Sequence, residues 1–202
     1  KIGLTATYGL RSNLMRWNGY LYRKLTPEDT IYHFNTRNNG TNTFLSHAVS
    51  LGADYYFNKL NTLSITGSGT FGRSKNPEWI RYEERDIRDI QSAQFTRFND
   101  IHGQNRFYNL NGQYRKTYLT PQKEFTVSAN YTNSYDTTTL NGSNSYSLLH
   151  FLPSDSASDK RQNRNKSYTS NTMLQSDYIL PLKKDRKIEA GAKIARRTFD
   201  NE

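Results

Sequence analysis

Cysteine is absent from all 202 residues, which excludes disulfides and thiolate metal sites. Stability therefore has to come from a sheet. Long apolar runs are missing too. No stretch approaches the roughly 18–20 apolar residues that a membrane-crossing helix needs, and mean hydropathy is strongly negative. Only 5 prolines are present, too few for a proline-rich linker. The 4 histidines His33, His47, His102 and His150 are scattered without metal-ligand spacing. No nucleophile elbow, phosphate loop, zinc-protease helix or calcium-loop pattern occurs, so neither a catalytic nor a cofactor or metal site is assigned and the chain is not read as an enzyme. Carboxylates are in the minority, with 28 Lys and Arg against 18 Asp and Glu. That balance suits an anionic partner such as lipopolysaccharide or an anionic solute, or simply solvates loops and lumen. Nucleic acid is set aside, because no binding module for it is recognisable.

What the chain does have is Tyr, Phe, Thr, Asn, Ser and Gly, a strand-and-turn composition. Val49, Leu51, Ala53, Tyr55 and Phe57 point one way, and Ser50, Gly52, Asp54 and Tyr56 the other. After the polar turn Asn58–Asn61, Leu63, Ile65, Gly67, Gly69 and Phe71 alternate with Thr62, Ser64, Thr66, Ser68 and Thr70. Such period-2 alternation across a short turn predicts an antiparallel hairpin. One face is aliphatic and aromatic, the other small and polar. Either a soluble sheet or a strand between lipid and water reads that way.

The same pattern recurs. Ile2 to Leu10 alternates and runs on as one long strand to Lys24, although a turn at Ser12-Asn13 would add a strand. Thr26–Asp29 is a turn signal. Tyr108–Arg115, Phe125–Tyr135, Tyr168–Leu180 and Ile188–Ala195 complete the set, with short turns at Leu119–Lys123 and Pro181–Arg186. Ser74–Gln104 and Thr137–Lys166 break the alternation and read as long polar loops. The first holds a short amphipathic helix with Ile87 and Ile90 on one side. The second carries Asn141-Gly142, the apolar patch Leu148–Pro153 and the basic run Lys160–Lys166.

Short turns therefore alternate with long loops, and strand cores of about ten residues match the 9–11 that a tilted strand needs to cross a bilayer. Tyr55, Phe57, Tyr118, Phe125 and Tyr178 fall near the short-turn ends, as an interfacial girdle would. The expected fold class is all-β: an antiparallel up-and-down transmembrane β-barrel, present as a partial barrel of about 7–8 strands with short periplasmic turns and long extracellular loops. Because no leader precedes Lys1 and no closing aromatic strand ends at Glu202, residues 1–202 are expected to be one internal piece of a barrel domain.

The stretch LGADYYFNKLNTLSITGSG (Leu51–Gly69) resembles the G-x-DYY-x-N-x-x-NTL-x-x-x-G hairpin of the outer-membrane β-barrel family common in Bacteroidota. That family is similar to the barrel region of TonB-dependent receptors. LNGQYRKTYLTPQKEFTVSANYT and SDYILPLKKDRKIEAGAKI look like its following strand–turn–strand units. The resemblance implies an outer-membrane location, a plug domain preceding the barrel in the same longer chain, TonB as a coupling partner and uptake of a small nutrient. The rival expectation is a soluble extracellular β-sheet module for carbohydrate, which requires the Leu51 face to pack on a second layer.

Candidate ligand groups are few. Arg16, Trp17, Tyr20, Tyr22 and Arg23 suit a sugar or an anionic headgroup, or an interfacial belt. Glu83, Glu84, Asp86 and Asp89 suit loop calcium, but pairing with Arg85 and Arg88 fits their alternating signs better. His102 stands near Asp100 and reads as a solvated loop histidine. Arg115, Lys187, Lys193 and Arg197 are expected on the lumen side, attracting anions or pairing with Glu189 and neighbours. No ligand-binding residue is assigned.

Overall fold

Alternation does not stop the strands where polar residues begin. A computed structural model describes residues 1–26, 32–86, 88–147, 158–182 and 186–202. It shows one antiparallel sheet of seven strands in chain order: β1 (Ile2–Leu25), β2 (Tyr32–Asn58), β3 (Asn61–Arg85), β4 (Gln91–Thr117), β5 (Glu124–Ser147), β6 (Ser158–Pro181) and β7 (Lys187–Asn201). No helix occurs among the described residues. Strand β1 passes straight through Ser12-Asn13, which pair with Leu45 and Phe44, so the count is seven rather than eight.

Both expected long loops are corrected. Ser74–Gln104 forms the distal halves of β3 and β4, joined by a tight connection at 86–90. Thr137–Lys166 likewise belongs to β5 and β6, and Asn141-Gly142 lies within β5 rather than at a turn. The amphipathic helix is absent around Ile90, whose carbonyl accepts from the Asp86 amide at 2.9 Å; Ile87, the patch Leu148–Pro153 and His150 lie outside the described residues. The physical reason lies in strand length. A strand of 24 residues spans roughly 80 Å at about 3.3 Å per residue, whereas the hydrocarbon core of a bilayer is about 30 Å thick. Beyond that core both faces meet water, so alternation vanishes from the sequence while the ladder of hydrogen bonds continues. Pro77, within β3, removes one ladder donor. The β2–β3 ladder skips from Gly40–Glu78 to Thr43–Lys75 at that point, and the Thr43 hydroxyl donates to the Lys75 carbonyl at 3.0 Å.

The short turns lie where expected. In the β2–β3 turn the Asn58 side-chain oxygen accepts from the Leu60 amide at 2.9 Å and the Asn61 amide at 2.8 Å, an Asx-type closure. The β4–β5 turn places Gln122 at φ 64°, and the Lys123 amide donates to the Thr120 carbonyl at 3.2 Å. In the β6–β7 connection the Leu182 amide donates to the Arg186 carbonyl at 2.7 Å, and residues 183–185 are outside the described set.

Register fixes the two faces. One hydrogen-bonded row runs Ile2–Tyr55–Leu63–Tyr114–Val127–Ser176–Ala192. Within the apolar band, alternate residues from it carry most of the aliphatic and aromatic side chains of the strands. This face is bare: Leu4 is 76 % exposed, Leu51 59 %, Leu110 53 % and Ile194 70 %, and no buried hydrophobic residue exists among those described. No second layer covers it among the described residues. The opposite face carries Thr, Ser, Asn, Gln and Gly. Every buried residue described (Gly40, Ser46, Asn99, Gly142 and Asn144) lies on that polar face, as expected on the crowded inside of a curved sheet. Moving along that row, the turn-side stretch enclosed lengthens from Tyr55–Leu63 to Tyr114–Val127 to Ser176–Ala192. The short-turn rim is therefore oblique to the rows, which is the stagger of tilted barrel strands.

Candidate functional site

The polar inner face changes character along its length. At the short-turn end it is small and hydrogen-bonded: Ser64 donates to Asp54 at 2.5 Å and Asn130 to Asn109 at 2.9 Å. At the other end three successive rows gather rings, cations and amides. The first row is Trp17–Gly40–Glu78–Asn99–Gly142–Arg161. Its two glycines exist for close approach. A Cβ on Gly40 would lie 2.7 Å from the Trp17 ring, and one on Gly142 2.9 Å from the Arg161 guanidinium. Across this row the Asn99 amide donates to Glu78 at 3.0 Å, and Arg161 reaches Asn99 at 3.5 Å.

The next row sets Arg97 beside Asn144, whose side-chain oxygen accepts from the Arg97 Nε at 2.9 Å. In the third, Tyr82 and Phe95 stack at 4.2 Å, and Phe95 meets Tyr146 at 5.6 Å. Arg97 lies 5.6 Å from the Tyr82 ring centroid and 6.0 Å from that of Phe95. One row below Trp17, the buried Asn76 Oδ1 has no hydrogen-bond partner among the described residues. The result is a wall of stacked rings, one guanidinium lying over two of them, and amides already hydrogen-bonded. Such a surface takes polar solutes with carboxylates, hydroxyls or peptide groups, because arginine forks and amides read those groups while rings cover their apolar sides.

Apart from Trp17 and Gly40, the residues of this wall lie in Ser74–Gln104 and Thr137–Lys166, which read as loops in the sequence. A usable signal exists: Trp79 and Tyr82 on one side of the 86–90 connection are mirrored by Phe98 and Phe95 on the other.

The structure divides the residues singled out beforehand. Trp17 and Arg23 face inward, while Arg16, Tyr20 and Tyr22 face outward, so the basic aromatic segment is two surfaces rather than one. Outside, the Tyr20 hydroxyl donates to Asn35 at 2.8 Å, Arg37 covers its ring at 6.0 Å, and the Tyr22 hydroxyl meets His33. His47 contacts the Tyr8 hydroxyl at 2.8 Å. His102 is in strand β4, not a loop, and faces outward beside Asp100 at 3.0 Å. Arg115, Lys187, Lys193 and Arg197 do share the polar face. Arg115 pairs with Glu124 at 2.6 Å, and Lys187 pairs with Glu189 at 2.6 Å. The girdle residues lie on the apolar face at the short-turn end, where Tyr55 meets Phe57 edge-on at 4.6 Å and Lys123 sits 4.5 Å over Tyr118.

The acidic residues of the 86–90 connection are engaged by arginines: Arg88–Asp86 at 3.1 Å, Arg85–Asp89 at 3.3 Å, and Arg81–Glu83 at 3.8 Å at its base. The Asp86 carboxylate also accepts from the Ile90 and Arg88 amides, each at 2.9 Å. The Ile90 amide holds its pKa below the ordinary aspartate range; desolvation opposes it, and the Arg88 contacts add to the lowering. A depressed carboxylate contributes stability above its ordinary pKa and loses it as pH falls through the lowered one. In an NMR titration the Arg88 and Ile90 amides are expected to shift only below about pH 4, and Asp86→Asn abolishes that transition.

Comparison with known proteins follows the same lines. Residues 116–202 match the model of the outer membrane protein beta-barrel family. The single up-and-down sheet agrees with that match in describing part of an outer-membrane β-barrel fold. No curated protein sequence matches it. Among solved structures, the RagAB peptide importer in its open-open state is similar at 9% identity and a TM-score of 0.39, over 99% of this chain and 31% of that one. BauA, the ferric preacinetobactin receptor from Acinetobacter baumannii, is similar at 8% identity and a TM-score of 0.31, over 98% of this chain and 41% of that one. The chain thus spans less than half the length of either.

Proposed function

We propose that this chain is an arc of a larger closed barrel of the TonB-dependent receptor type, and that it takes part in nutrient uptake across the outer membrane. The observation that carries the proposal is the contrast between its faces. A bare apolar band suits lipid, and the polar wall behind it ends in an ordered surface of rings, Arg97 and amides. The short-turn end is periplasmic and the extended end extracellular, by the rule that barrel turns are short on the periplasmic side. Strands β1 and β7 leave their outer edges unpaired among the described residues. Open edges are not tolerated in hydrocarbon, so further strands of a longer chain pair with them.

In this reading the Tyr82–Phe95–Tyr146 wall captures a polar solute above the membrane. A plug domain in the same longer chain then gates it, with TonB supplying the coupling, and the polar strand faces below offer a wet path. The role is transport, with no catalysis. A soluble carbohydrate module is disfavoured because nothing among the described residues packs on the Leu51 face.

The test is solute accumulation in cells, using a panel of short peptides and oligosaccharides. Deleting the protein is expected to remove uptake of at least one of them, and Phe95→Ala with Arg97→Ala to reproduce that loss at normal outer-membrane abundance. Unchanged accumulation of every solute after deletion would sink the proposal.

A further inference from the structure

The outward face carries a second feature that transport does not use. Immediately above the apolar band its residues turn cationic. Arg73 and Lys75 follow each other on β3, and Arg106 stands on β4 directly opposite Phe71. All three are exposed, and none has an ion-pair partner among the described residues. Asp100, on the same face of β4, is beside His102 at 3.0 Å. On one further strand Arg164 shares the row of Lys75 and His102. Two adjoining open grooves run through this patch. Both hold Leu45, Arg73 and Gln104; the lower adds Phe71, Tyr108 and Arg106, the upper Leu14, Lys75 and His102. Phe71 and Tyr108 meet edge-on at 5.5 Å and form a firm apolar floor.

Unpaired cations at this height are not explained by pairing within the sheet. They also cluster on the lipid-facing side, where no solute passes. The lining combines apolar and cationic groups: Phe71 and Tyr108 lie toward the membrane-spanning band, Arg106 is level with Phe71, and Arg73 and Lys75 lie above them. A free phosphate would satisfy only the cationic groups, and an uncharged lipid only the apolar ones.

We infer that Arg73, Lys75 and Arg106 form a binding site for a phosphorylated, acylated glycolipid of the outer leaflet. Its phosphates rest on the three cations while an acyl chain lies along Leu45, Phe71 and Tyr108. Arginine is suited to phosphate because its planar fork donates two parallel hydrogen bonds. The inference rests on the outer-membrane location and the facing of the sheet, and not on what the barrel transports.

The experiment uses the full-length protein in nanodiscs made with or without lipid A. Native mass spectrometry counts retained lipid, and competition gives affinity. Each basic side chain near an anionic lipid surface is worth about fivefold in affinity, so Arg73→Gln, Lys75→Gln and Arg106→Gln together are expected to weaken lipid A retention roughly a hundredfold. Arg73→Lys with Arg106→Lys, which keeps the charge, is expected to retain most of it. Arg11→Gln, at the same height on the inner face, is expected to change nothing. Dephosphorylated lipid A should bind like the triple variant. Retention of lipid A by the triple variant at the wild-type level would overturn the site. Inorganic phosphate or phosphatidylglycerol competing as well as lipid A would overturn the assignment to the glycolipid.

Discussion

Leu51→Arg and Leu110→Arg are each expected to destabilise the barrel by about 2–4 kcal/mol in a bilayer, whereas Ser68→Arg and Asn111→Arg cost little. Leu51 and Leu110 share one hydrogen-bonded row through Gly67, near the middle of the apolar band, and both side chains are more than half exposed within the sheet. In water an exposed leucine tolerates arginine readily. In hydrocarbon the charge must be dehydrated or snorkel to an interface about half a bilayer away. Ser68 and Asn111 stand beside them on the polar face, where an arginine meets water. Equilibrium unfolding in lipid vesicles reads the difference. Equal costs on the two faces would mean that neither faces lipid.

Phe95→Ala is expected to cost about 2–4 kcal/mol locally and to fray the far ends of β3 and β4. It removes the stack on Tyr82 at 4.2 Å, the contact with Tyr146 at 5.6 Å and half of the ring surface under Arg97. Aromatic pairs contribute about 0.5–1.5 kcal/mol each beyond burial, and a cation over a ring about 0.5–1. Freed from its rings, Arg97 also holds Asn144 less firmly, and a buried amide that loses its partner costs a further ~1–3 kcal/mol. Hydrogen exchange should speed up at residues 79–98 and stay unchanged below Arg73. Uniform acceleration throughout the sheet would show instead that the upper wall has no stability of its own to lose.

Much of the fold was legible because lipid imposes a rule on sequence. Leu51–Phe71 alternates cleanly since one face must be apolar and the other polar, and the turn chemistry of Asn58 marks the reversal. Ser74–Gln104 was not legible for the same reason turned round. With water on both sides no face needs to be apolar, and the segment reads as a loop although β3 and β4 stay paired through it. What holds it is cross-strand contact: Trp79 with Phe98 at 4.9 Å, and Tyr82 with Phe95. Such pairs are visible in a sequence only once the position of the reversal is known. The site was hidden with it. Trp17 and Tyr20, three residues apart and similar in type, were grouped together, yet strand parity sends one inward and the other outward. Conversely, Arg97, Asn99, Asn144 and Arg161 are unremarkable in sequence and become a site only through register.

The central claim is that the sheet face bearing Leu51, Leu110 and Ile194 faces lipid while the alternate residues face water. Because the 202 residues hold no cysteine, single cysteines can be introduced one at a time from Val49 to Phe57 and from Tyr108 to Tyr114 in this segment of the full-length protein. A bimane label at each site in outer-membrane vesicles, quenched by brominated lipid or by aqueous iodide, reports its surroundings. The expected result is strict period-2 alternation, with lipid quenching at 49, 51, 53, 55, 108, 110, 112 and 114 and iodide quenching at the residues between. Iodide quenching at every position, with no lipid quenching at Leu51 or Leu110, would contradict it.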